Sequence, residues 1–315
     1  MATIHKNTID FKIQRFEDIP VSTRTSIVMT NLILDIQSVF ENLPVTEYII
    51  VPKRRGRKKK VIMEDPNEGI ADGSIITLEL ENKLRGVRLK KKKKSNAKRG
   101  EDYFRNSITV VMMVNGKHIN FKISRNGKFQ MTGCKTDDQI ENCVKYTWKY
   151  IEQMPESYSF ENGKNLQATF IPAMRNIDFG LGFNIDREKL DDFFNNAESD
   201  HKSLLETSIG YTGVNIKIPY KRPITDLRLK RLEFDNTKKD WGKLIYIPYS
   251  DYLNHLKPKE KQKKLAKKRY HTFLVFHSGK IIMSSINDEF ARDTYYDFME
   301  IVKKHHGEFE EKLDI

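Results

Sequence analysis

The chain has 315 residues, with 56 Lys and Arg against 43 Asp and Glu and a net charge of +13, a balance that favours a polyanionic partner. Hydrophobic residues make up 38%, enough for one large core or two ordinary ones. Two cysteines, Cys134 and Cys143, exclude a disulfide framework and a CxxC zinc site, and the absence of a secretion signal or a membrane-length apolar run predicts an intracellular protein with no membrane partner.

Residues 1–18 form an N-terminal segment. "SIVMTNLILDIQSVFENL" (26–43) then predicts a strand followed by an amphipathic helix. The run "PKRRGRKKK" (52–60) repels itself and reads as a loop, as does "RLKKKKKSNAKR" (88–99) after the strand region "GSIITLELENKLRGVRLKKKK" (73–93). "SITVVMMV" (107–114) leads into Asn115-Gly116, "HINFKI", Asn126-Gly127 and "FQMTG". Asn-Gly between apolar, β-branched runs is a strong hairpin signal, because both turn positions need positive φ. Residues 107–133 are therefore predicted as a three-stranded antiparallel meander. A helix follows, capped by Thr136 or Asp137, with Ile140, Cys143, Val144, Thr147 and Ile151 on one face.

The second half repeats this order. "PAMRNIDFGLGFNIDREKLDDFF" (172–194) parallels the first strand and helix, and "GVNIKIPYKRPITDLRLKRL" (213–232) parallels the strand region. "WGKLIYIPY" (241–249), "YHTFLVF" (270–276) and "KIIMSS" (280–285) are predicted as a second meander. It is followed by a helix over 288–304 burying Phe290, Thr294, Tyr295, Phe298 and Val302. A third basic run, "KPKEKQKKLAKKR" (257–269), reads as a loop within 250–269, where the first copy has only a tight turn. Two repeats are thus expected, over 19–160 and 161–315. Each leaves a sheet unfinished, so the two would join into one antiparallel sheet with helices on one side and a bare face for a long ligand.

"SRNGKFQMTGCKT" (124–136) and "LVFHSGKIIMSS" (274–285) resemble the strand-turn-strand of the TATA-box-binding protein family, and "WGKLIYIPY" resembles the strand before it in the second repeat. The matching order covers most of residues 20–306. The enlarged basic loops suggest a divergent homologue of the kind a large DNA virus would carry. The resemblance implies an α+β saddle, two pseudo-symmetric repeats forming one curved antiparallel sheet with helices on the convex face, seated on the DNA minor groove. Family wedge phenylalanines carried over residue by residue fall on Trp241 and Phe276 in the second repeat and on Ser107 and Ser124 in the first. An apolar wedge props a base step open and serine cannot, so a kink is expected at the second-repeat end; Tyr103, Phe104 or Phe121 could substitute in the first.

Strand alternation puts Lys280, Ile282 and Ser284 on the face of Phe276, and Lys128, Gln130 and Thr132 on that of Ser124, a mixed surface suited to A·T pairs in the minor groove. The family's first-strand asparagines fall on Asn176 and on Asn31, with Ser26 the alternative by spacing. The groove-flanking arginine is replaced by Met113 and Ile247, which would shift phosphate contacts to the basic loops and steepen the salt dependence of binding.

No HExxH, P-loop or acid/base pair stands out: Asp137-Asp138 read as helix-start residues, and His118, His271 and His277 lack ligand spacing. No enzyme activity, cofactor or metal is expected. The resemblance implies a general initiation factor, a monomer on double-stranded promoter DNA, with a transcription factor IIB-like protein and a multisubunit RNA polymerase as partners, in the nucleus or a cytoplasmic viral factory. The alternative is a packaging or protein-docking module that keeps the saddle but has lost TATA selectivity.

Overall fold

A computed structural model describes residues 13–50, 67–89, 106–196, 200–205 and 213–311. The basic run 52–60, most of the run 88–99, Tyr103 and Phe104 lie outside them. The chain divides into two compact units, one of residues 25–171 and 229–247, the other of 13–24, 172–228 and 248–311.

The first unit opens on β1 (Val21–Thr30), whose first residues belong to the other unit. It continues with β2 (Leu32–Leu34), α1 (Ile36–Asn42), β3 (Ile75–Leu80) and β4 (Lys83–Gly86). The predicted meander follows as β5 (Ser107–Val114), β6 (Lys117–Ser124) and β7 (Lys128–Cys134), paired antiparallel in that order. The strand order is β1-β7-β6-β5-β3-β4. Next come α2 (Asp137–Ile151), β8 (Tyr158–Phe160) paired with β2, and β9 (Leu166–Gly180), which leaves this unit at Ile171. Thr136 caps α2 by accepting a hydrogen bond from the Gln139 amide at 3.3 Å. Ile140, Cys143, Val144 and Ile151 of α2, with Val39 and Phe40 of α1, are buried against Ile108, Val110, Ile123, Phe129 and Met131 of the sheet.

In the second unit the latter part of β9 is followed by α3 (Arg187–Asn196), β10 (Lys202–Leu205) and β11 (Gly213–Pro219). The chain then returns to the first unit with β12 (Arg228–Asp235), paired to residues 166–170 of β9, and two short strands paired to β12, β13 (Asp240–Trp241) and β14 (Ile245–Pro248). The second unit resumes with α4 (Tyr249–Asn254), α5 (Pro258–Ala266), β15 (Tyr270–Phe276), β16 (Lys280–Ser285) and α6 (Asp288–Phe309). Its strand order is β10-β11-β15-β16-β9. Phe290, Tyr295, Phe298 and Val302 of α6 and Leu190 and Phe194 of α3 are buried, most of them in one core with Phe273, Val275, Ile281 and Met283.

The repeat is visible in the backbone. Both Gly-Lys turns receive the segment that follows the unit's leading strand. The Leu34 amide donates to the Arg125 carbonyl and the Ile185 amide to that of His277, each at 2.8 Å. Gly127 and Gly279 have φ of 63° and 70°. A Cβ on Gly127 would stand 2.5 Å from the Leu32 carbonyl oxygen, and one on Gly279 would stand 2.1 Å from that of Phe183. The fold is α+β, with antiparallel sheets backed on one face by helices.

Two expectations need correction. Residues 241–249 are not the strand beside β15; β11 pairs there, Gly213 to Phe276 through Pro219 to Tyr270. "GVNIKIP" alternates strictly, Val214, Ile216 and Ile218 inward and Asn215 and Lys217 outward, whereas Pro248 lacks an N–H and stands at the N-cap of α4. The run 257–269 is mainly helix, not loop. Pro258 opens it, and Lys263 and Lys264 occupy the last turn, where cations suit the helix dipole. The compact units are a different division from the repeats expected over 19–160 and 161–315: residues 161–171 and 229–247 pack with the first block and 19–24 with the second.

Candidate nucleic-acid interface

The face of each sheet opposite its helices is the candidate site. In the second unit, register sets Lys202, Lys217, Thr272, Ser284 and Asn176 in one row across β10, β11, β15, β16 and β9. The next row is Leu204, Asn215, Leu274, Ile282 and Asp178. Beyond it, Phe276 lies opposite Gly213 and Lys280 opposite Gly180. Leu204 is 58% exposed, and Phe276, Leu274 and Ile282 are half-buried, so four apolar side chains meet solvent here. Gly213 is part of the device: a Cβ there would stand 2.8 Å from the Leu274 side chain. The Ser22 hydroxyl donates to the Asp178 carboxylate at 2.9 Å, tying down the row's one acid. The Asn176 Oδ1 is buried and has no hydrogen-bond partner in the described structure.

The corresponding face of the first unit is polar. Glu79, Thr109, Lys122 and Gln130 form one row, and Val111, Asn120 and Thr132 the next. Ser107 lies opposite Ser124, whose hydroxyl engages the Asn126 side chain at 2.7 Å. Gln130 and Thr132 are exposed and Lys128 is half-buried. Glu79 is paired with Arg88 at 2.6 Å.

The structure thus brings Phe276, Lys280, Ile282, Ser284 and Asn176 to one face, and Ser107, Ser124, Lys128, Gln130 and Thr132 to the other unit's equivalent. It does not do so for Trp241 or Asn31. Trp241 belongs to the first unit, packs on its core and meets the Phe234 ring edge-on at 5.3 Å. Asn31 is buried; its Nδ2 donates to the carbonyls of Asn162 and Asn165 at 2.8 and 2.9 Å, and its Oδ1 accepts from the Gln167 amide. These three bonds hold the turn before β9, so neither Asn31 nor Trp241 joins the rows of the open faces. Phe121 is buried against Phe129 and offers no wedge. Met113 and Ile247 are buried too. Ser26, the other first-strand candidate, is also buried.

Thr272, Leu274, Asn215, Lys217 and Leu204 are face residues that sequence reasoning missed. The alternation that placed Ile282 and Ser284 also places Thr272 and Leu274 beside Phe276, but Asn215 and Lys217 needed the correct neighbour strand. His271 is buried, bonded to the Ser285 hydroxyl at 3.0 Å and pushed down to about 4 by desolvation. Burial pushes the Cys143 thiol well up. Asp137 pairs with Lys230 at 2.5 Å.

No family model matches the chain. It is 26% identical over 222 residues to the uncharacterized protein 335L of Invertebrate iridescent virus 6, matching 67% of this chain and 64% of that protein. It is 27% identical over 188 residues to a TATA-box-binding protein-like protein of Acanthamoeba polyphaga mimivirus, matching 55% and 44%. The chain resembles the TATA-box-binding protein family, at a distance. It spans about half to two thirds of the length of these viral relatives. Among solved structures, the TBP of Methanococcus jannaschii aligns with 91% of this chain and 98% of its own, at 12% identity and a TM-score of 0.42.

Proposed function

We propose that the chain binds double-stranded DNA through the open sheet faces and serves, without catalysis, as an intracellular TATA-box-binding protein-like factor in transcription initiation. The observation that carries this reading is the face of the second unit, where Phe276, Leu274 and Ile282 meet solvent among Thr272, Ser284 and Asn176 and beside Lys217 and Lys280. Apolar side chains fit sugar edges and opened base steps, hydroxyl and amide groups reach the acceptors of A·T pairs, and lysines neutralise phosphates. The likeness to a viral TATA-box-binding protein-like protein supports the same assignment. A transcription factor IIB-like protein and a multisubunit RNA polymerase are the partners such a role requires.

Anisotropy titrations of A·T-rich and G·C-rich duplexes at one fixed salt concentration test this proposal. A preference of tenfold or more, about 1.4 kcal/mol, supports it; no duplex binding at low salt sinks it. The polar face around Ser107 and Ser124 favours a second reading, a sequence-tolerant DNA-binding module. Equal, measurable affinities for the two duplexes would select it.

A further inference from the structure

A cleft of about 490 Å³ opens in the second unit where the end of α5 meets the sheet edge. It is lined by Lys202, Arg222, Lys267, Lys268 and Arg269, with Asp200 as its one carboxylate. The cations divide by what already holds them. Arg222 is paired with Glu289 at 3.0 Å and lies over the Phe290 ring. Arg269 donates to the carbonyls of Lys264 and Lys267 at 3.0 and 3.2 Å, neutralising the negative end of α5. Lys202, Lys267 and Lys268 are exposed and have no carboxylate within ion-pair distance among the described residues. Three uncommitted ammonium groups around one cleft form an anion site.

Lys202 also heads the row Lys202–Lys217–Thr272 on the open face, and Tyr270, on that face too, lines the cleft. The cleft is therefore a continuation of the face and not a separate pocket. We propose that it holds phosphodiester groups of the nucleic-acid strand crossing this unit's face, with Lys202, Lys267 and Lys268 as the contacts. The proposal rests on the DNA-binding reading above and adds a phosphate track supplied by Lys202 of β10 and by Lys267 and Lys268 between α5 and β15.

The test is the full chain carrying Lys202→Gln, Lys267→Gln and Lys268→Gln, compared with wild type and with a control lacking the exposed Lys83, Lys303 and Lys304. Affinity for a long A·T-rich duplex is measured across a salt series, with circular dichroism confirming folding. About 0.9 in slope is lost per phosphate contact, so the triple variant should bind about tenfold or more weaker with a slope shallower by about 2 to 3, and the control should change less. Wild-type affinity and slope in the triple variant overturn the proposal while leaving DNA binding intact. Absence of duplex binding by wild type itself overturns both readings. Inorganic tripolyphosphate is titrated in parallel. Stoichiometric binding that the triple variant loses, with duplex binding unchanged, would make the cleft a free-polyphosphate site and overturn the nucleic-acid assignment.

Discussion

Gly279 and Gly127 show how little freedom single positions carry. Each combines a left-handed φ with a backbone carbonyl where a methyl group would go. Alanine at either site costs about 1 kcal/mol for the conformation alone, and the displaced carbonyl adds to it. We expect Gly279→Ala to lower the urea midpoint more than Gly127→Ala, because the approach is 2.1 Å to backbone in the first and partly to the Thr30 hydroxyl in the second. His271 makes a prediction of another kind. Its folded pKa of about 4 lies below the ordinary 6.5. Between these values the unfolded chain binds more protons than the folded one, so stability is full above pH 6.5 and falls as pH drops toward 4, by at most about 1.4 kcal/mol per unit. His118 and His201 are also depressed by desolvation and add to the trend. Urea melts at pH 7 and pH 5 should show a smaller difference for His271→Gln than for wild type; an unchanged difference would remove His271 from the account.

At the scale of elements, β12 to β14 pack with the first unit, although in sequence they interrupt the second. Phe234 is buried between Trp148 of α2, at 5.7 Å, and Trp241. Phe234→Ala should cost about 3–5 kcal/mol and raise amide exchange in α2; full retention of α2 protection would show that these strands are not part of that core. This segment marks where the sequence became unreadable. The meander of β5 to β7 was legible because two Asn-Gly turns fix loop length and register locally. The buried faces of α2 and α6 were legible because 3.6-residue periodicity is also local. The pairing of β15 with β11, across some fifty intervening residues, is a long-range choice. "WGKLIYIPY" and "GVNIKIP" both look like strands, and only the cleaner alternation of the second hinted at the winner. Helix α5 was hidden by its charge, since a lysine-rich run is as soluble in a helix as in a loop. The face residues of β16 and β7 followed from alternation, but Asn31 did not: its three hydrogen bonds reach residues 131 to 136 positions away.

At the scale of the molecule, the two halves share an order of elements but not a surface. The residue before each Gly-Lys turn is Phe276 in one unit and Ser124 in the other, facing Gly213 and Ser107 respectively. The space a Cβ would take at Gly213 is filled by the Leu274 side chain beside Phe276. If the DNA-binding reading holds, deformation of the duplex concentrates at the Phe276 side, because among the described residues at these two positions only Phe276 is an apolar group that can offset the few kcal/mol of unstacking that a kink costs. Phe276→Ala should therefore lower A·T-rich duplex affinity by about tenfold, roughly 1.4 kcal/mol, and abolish most of the end-to-end FRET change on binding. Trp241→Ala, which removes an edge-on partner of Phe234, should lower thermal stability and leave the bending signal of the remaining folded protein intact. The reverse pattern, with bending lost in Trp241→Ala and kept in Phe276→Ala, would return the wedge to the first unit and require β13 to leave its core on binding. Adding a ring at the serine position, Ser124→Phe, discriminates further. If an aromatic ring at this position is what kinks the duplex, Ser124→Phe should raise the FRET change on binding above wild type; no rise would show that a ring here is not sufficient.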